Sequence, residues 1–77
     1  MTTPSTIAQE LARAQAAGLA RIDAQMLLLH VLDRATNDRA WLLTHDGDAM
    51  AADALARWHA LCARRAAGEP VAYLTGR

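Results

Sequence analysis

Phenylalanine and lysine are both missing from this chain, and cysteine occurs once. Without phenylalanine the large rings are Trp41, Trp58 and Tyr73, so a core has to be leucine, isoleucine, valine and methionine around two indoles. Without lysine all eight basic residues are arginines, and eight acidic residues cancel them to a net charge of zero. A nucleic-acid module usually shows a basic face and a high pI. The chain has neither overall, and no direct nucleic-acid partner is expected. The single Cys62 cannot form an internal disulfide, which fits a reducing compartment.

Long apolar runs are missing too. None exceeds Met26 to Leu29, far too short to cross a bilayer. Met1 to Ser5 has no basic segment leading into an apolar stretch, so it does not read as a signal peptide. The expectation is a cytoplasmic protein with no membrane partner. The four glycines, Gly18, Gly47, Gly68 and Gly76, stand apart, which excludes a glycine-rich phosphate or dinucleotide loop. No paired-carboxylate constellation is present either.

What is present favours helix. Of the 77 residues, 53% are hydrophobic, and many are alanine, which favours helix and lets helices approach closely. A chain this short buries only roughly 60% of its unfolded surface, so that apolar fraction must be used efficiently. Ser5 or Thr6 can cap a first helix running to about Ala17, with Glu10 in an early turn and Ile7, Leu11 and Ala14 as its stripe. Gly18 supplies a left-handed stop, and Leu19 can fold back on the last turn.

A second helix, from about Arg21 to Leu32, sets Ala24, Leu27, Leu28 and Val31 at helical spacing. Met26, Leu29 and Leu32 widen that face until only a strip with Asp23 and His30 stays polar. A helix so apolar is central in its bundle or covered by a partner. Leucines left exposed on it would be a dimerisation risk.

Asn37 can cap a short third helix carrying Trp41, Leu42 and Leu43, and His45 to Asp48 reads as a turn. The fourth helix starts between Asp48 and Ala52 and continues to about Ala67, with Leu55, Trp58, Leu61 and Cys62 inward. Asp53 stands four residues before Arg57, the favourable order for a helical ion pair. Gly68 and Pro70 end the helix. Pro70 to Gly76 forms either one tight helical turn or an extended exit. The sum is an all-α fold, a small helical bundle of four main helices plus a short C-terminal turn or helix.

Chemistry is sparse on these elements. His59 and Cys62, at i and i+3, could place two metal ligands together, but a structural zinc site needs four, and His30 and His45 stand alone on other elements. No metal site is assigned. Asp46-Gly47-Asp48 lacks the further oxygens and closing glutamate of a calcium loop. Cys62 beside Trp58 reads as a small core residue rather than a nucleophile, since thiolate activation needs an electropositive, accessible site. Arg64 and Arg65 close the fourth helix, where they complement its negative end; the other reading is a contact patch for an acidic partner. Helices two and three do not make a DNA reader, because Arg39 is nearly all the third helix offers phosphates or bases.

Two segments go further. Arg21-Ile22-Asp23-Ala24-Gln25-Met26-Leu27-Leu28-Leu29-His30-Val31-Leu32, and the stretch from Arg64 through Gly68-Glu69-Pro70-Val71-Ala72-Tyr73 to Gly76 and Arg77, together resemble the peptide chain release factor glutamine methyltransferases, the HemK/PrmC family. The first resembles the family's second helix. The second resembles its junction between an N-terminal helical domain and a catalytic domain, and is the more specific because that pattern does not arise generically.

The resemblance implies a helical bundle over residues 1–68 and, at 69–77, the start of a linker to a catalytic domain beyond Arg77. For the full-length parent it implies an enzyme that moves a methyl group from S-adenosylmethionine to a side-chain amide nitrogen. The acceptor is the glutamine of the Gly-Gly-Gln motif in class I peptide chain release factors. The bundle is implied to help hold the release factor, with the parent's own C-terminal methyltransferase domain as its other partner. The alternative is a structural cap that stabilises that domain, with Val71, Tyr73 and Leu74 facing it.

The family's glycine-rich cofactor loop and Asn-Pro-Pro-Tyr motif do not occur here. No catalytic or cofactor-binding residue is therefore assigned, and the chain alone is expected to be inactive and without cofactor. Arg57 and Arg64, one above the other on the outer face of the fourth helix, are the expected partner contacts. Two departures stand out. Gln25 occupies a position where the family usually has glutamate, and no good cap precedes the fourth helix near Ala51, so its start is expected to fray or shift toward Asp48.

Overall fold

The computed structural model describes residues 5–76. Five helices follow in order: α1 (Ile7–Ala16), α2 (Arg21–Val31), α3 (Arg39–His45), α4 (Ala52–Ala66) and α5 (Val71–Leu74). Among the described residues the β structure is one isolated bridge between Thr6 and Ala49. The expected all-α bundle is what forms, and the C-terminal segment takes its helical option.

Local chemistry sets each boundary. Thr6 makes a reciprocal cap with Gln9: the Gln9 amide donates to Thr6 Oγ1 (3.2 Å), and the Thr6 amide to Gln9 Oε1 (2.9 Å). Helix α1 therefore opens at Ile7 instead of Ser5. At its other end Gly18, with φ of 108°, lets its own amide reach Gln15 and the Leu19 amide reach Ala14. Gly68 repeats this closure on α4, with Glu69 bonding back to Arg64. Helix α2 closes the same way without a glycine: Asp33 takes φ of 58°, and Arg34 bonds back to Leu29.

Two expected starts are corrected. Asn37 does not cap α3; Asp38 holds the cap position and makes no side-chain cap bond. Its carboxylate is taken by Arg34 at 3.2 Å. Helix α4 does begin without a side-chain cap at Ala51, but its start does not move toward Asp48. The carbonyls of Asp46 and Asp48 accept the free first-turn amides of Ala8 and Ile7, while the Met50 amide donates to Ser5. That pairing holds residues 46–50 out of helix.

Helix α2 is the axis of the bundle and packs against the other four helices. Ala24, Leu27, Leu28 and Leu29 are completely buried, and Val31 nearly so. Ile7 and Ala14 meet them from α1, Leu42 from α3, Ala54 and Trp58 from α4, and Leu74 from α5. Each buried leucine contributes about 1.5–3 kcal/mol. Leu27, Leu28 and Leu29 are interior, Leu32 is half-buried, and the exposed aliphatic residue on α2 is Ile22.

Candidate interaction surface

Arg57 and Arg64 are exposed on α4, seven residues apart, and each has a task inside the domain. Arg57 Nη2 donates to the Val31 carbonyl at 3.0 Å, capping the C-terminal end of α2 from the neighbouring helix. This replaces the expected pair with Asp53. Arg64 grips Glu69 through two bonds of 2.7 and 3.0 Å, which hold Glu69 below and Arg64 above their ordinary pKa values. Arg65 turns the other way, to Asp23 of α2 at 3.2 Å.

Among the described residues no group of three histidine, cysteine or acidic side chains is placed to hold a metal ion. His59 Nε2 instead donates to Glu10 Oε1 at 2.8 Å, beside the Trp58 Nε1 bond to the same oxygen at 3.1 Å. Glu10 is 1% exposed, with Arg13 lying 3.8 Å from its second oxygen. Burial works to raise its pKa, but the His59 hydrogen bond, the nearby Ser5 hydroxyl and the Arg13 charge outweigh it and hold the carboxyl below its ordinary value. Cys62 moves the other way, pushed up to about 11 by burial and by the Glu10 charge. That is a resting thiol, not a nucleophile.

Sequence reasoning placed Glu10 in an early turn and missed its burial. The signal was available: Ile7, Glu10 and Ala14 fall at i, i+3 and i+7, so the carboxylate rides on the apolar stripe.

An open surface lies between α2 and α3. Arg21, Ile22, Gln25, Arg39 and Leu43 line an open depression of about 570 Å³. Ile22 is 43% and Leu43 70% exposed. Arg13, Arg34, Arg64 and Arg65 each have a carboxylate within 4.0 Å, and Arg57 has its carbonyl. Among the described residues, Arg21 and Arg39 have neither an ion pair nor a side-chain hydrogen bond. Gln25, one turn beyond Arg21, adds no charge, and Asp46 borders the α1 side without pairing. This surface escaped sequence reasoning because it is assembled from the starts of two helices separated by a loop.

A family model described as the PrmC N-terminal domain matches residues 5–76. Among curated relatives, a release factor glutamine methyltransferase of Bordetella pertussis is 54% identical over 59 residues, 77% of this chain and 21% of its own length. Proteins of the same name from Xylella fastidiosa and Burkholderia pseudomallei are 50% and 45% identical over 74 residues, 96% of this chain. The chain spans about a quarter of their length, 25% and 24% respectively. No solved structure matches. No helix among the described residues is long and apolar enough to cross a membrane.

Proposed function

The chain belongs to the PrmC N-terminal domain family, and from that premise we propose that it is the release factor docking domain of a protein-glutamine methyltransferase. The whole protein's activity would be methyl transfer from S-adenosylmethionine to the Gly-Gly-Gln glutamine of class I release factors in the cytoplasm. The observation that carries the docking role is the α2–α3 surface, where Ile22 and Leu43 stay exposed beside a closed core.

The chemistry explains the need for docking. A carboxamide nitrogen is a poor nucleophile, and holding its protein at a distance from the reacting atom converts binding energy into orientation. A rigid bundle can supply that hold without touching the glutamine. S-adenosylmethionine would be held by the rest of the parent protein.

Tyr73 supports a second reading. It is 69% exposed on α5, close to the Arg64–Glu69 pair, and would suit a cap seated against the methyltransferase domain. Removing residues 1–77 from the parent protein separates the two. Release factor affinity lowered at least about tenfold (~1.4 kcal/mol), with an unchanged melting temperature for the remainder, is the docking result. Unchanged affinity with a destabilised remainder is the cap result.

A further inference from the structure

We infer that the α2–α3 depression takes an acidic protein segment, with an aliphatic side chain against Ile22 and Leu43 and carboxylates reaching Arg21 and Arg39. The inference rests on the docking reading above and adds to it the chemistry of what is docked.

Charge is the first ground. The other described arginines are engaged within the domain, whereas Arg21 and Arg39 face the same depression without an ion pair, Asp46 bordering the Arg21 side unpaired. Two guanidinium groups at the rim of an apolar floor match carboxylates flanking an apolar side chain, since the planar fork bonds a carboxylate through two parallel contacts.

Placement is the second ground. Arg21 is the first residue of α2, and Arg39 the first of α3. A cation gains nothing there, because the start of a helix is its positive end. Glutamate at either position would suit the isolated fold better. Folding stability therefore does not account for these two arginines, and an external anion does.

The floor decides between protein and nucleic acid. Ile22 and Leu43 are aliphatic and give a base no ring to stack on. Trp41, the aromatic residue of α3, is already covered, with the Arg34 guanidinium 4.6 Å from its ring and His45 stacked at 4.2 Å. The net charge of zero gives no general pull on a phosphate backbone.

The test is calorimetric titration of this chain with a purified class I release factor, using the parent sequence and Arg21→Glu/Arg39→Glu, with melting temperatures taken in parallel. The double reversal is expected to weaken binding at least about tenfold while melting at or above the parent temperature. Added salt is expected to weaken the parent more than the double variant. If the parent binds and the double variant binds equally well, the inference falls while the docking reading stands. If the parent does not bind, both fall. Tighter binding of a single-stranded RNA, lost in the double variant while release factor binding persists, also overturns it.

Discussion

The indole Nε1 of Trp58 and the carboxylate Oε1 of Glu10 meet at 3.1 Å, a bond that ties α4 to α1 across 48 residues of sequence. Both groups are 1% exposed, and His59 completes the pair from the solvent side at 2.8 Å. Burying a carboxylate is costly unless it is hydrogen-bonded; here Oε1 takes both donors, while the buried Oε2 has no hydrogen bond and only the Arg13 guanidinium at 3.8 Å.

Glu10→Ala leaves the Trp58 donor unpaired in the interior, and is expected to cost about 1–3 kcal/mol. Urea unfolding at neutral pH, compared with the parent chain, measures it. A loss within error of zero would mean that the bond adds nothing beyond packing.

The same carboxylate gives the fold an acid limit. Its folded pKa lies below the ordinary value, so ionised Glu10 contributes stability that is fully present above the unfolded pKa. That contribution is lost as pH falls through the folded value. Stability should therefore decline on acidification below the usual carboxylate range, and Glu10→Gln should decline less steeply. Unfolding curves between about pH 7 and pH 3 decide it.

Trp58→Ala removes the central indole and is expected to cost about 3–5 kcal/mol, comparable with the whole stability of a small domain. Circular dichroism should show a largely unfolded chain. Trp58→Phe keeps most of the volume, loses the donor to Glu10, and should remain folded with a lower melting temperature.

Asp33 holds a left-handed conformation at the end of α2, where the closures at Gly18 and Gly68 use glycine. Asp33→Gly relieves that strain and is expected to stabilise the domain by up to about 1 kcal/mol after the entropy of the freer unfolded chain is deducted. A rise in melting temperature is the expected readout.

Cys62, with its pKa near 11, is expected to alkylate slowly in the folded chain at neutral pH and rapidly in denaturant. Mass spectrometry after timed iodoacetamide treatment measures both rates. Equal rates would place the thiol outside the core.

Periodicity made α2 legible, because Ala24, Leu27, Leu28 and Val31 repeat at helical spacing and all four are buried. The stops at Gly18 and Gly68 were legible because their amides make the backward bonds that a left-handed residue permits. Trp58 read correctly as core. What escaped were decisions between competing partners. Asp38 could cap α3 or pair with Arg34, and it pairs. Arg57 could pair with Asp53 or cap α2, and it caps. Such choices depend on how neighbouring helices cross, which no single-helix pattern contains. The α2–α3 surface was hidden for the same reason, since Arg21 and Arg39 become neighbours only once those helices pack.

Docking is the central claim, and calorimetric titration of the 77-residue chain with a purified class I release factor tests it most directly. Saturable binding in the micromolar range, about 8 kcal/mol, is the predicted result. Binding weakened by charge reversal at Arg57 and Arg64, but not at Arg21 and Arg39, would move the contact to α4. No saturable heat at concentrations near a millimolar, with the chain folded, would contradict docking and leave the bundle as a cap.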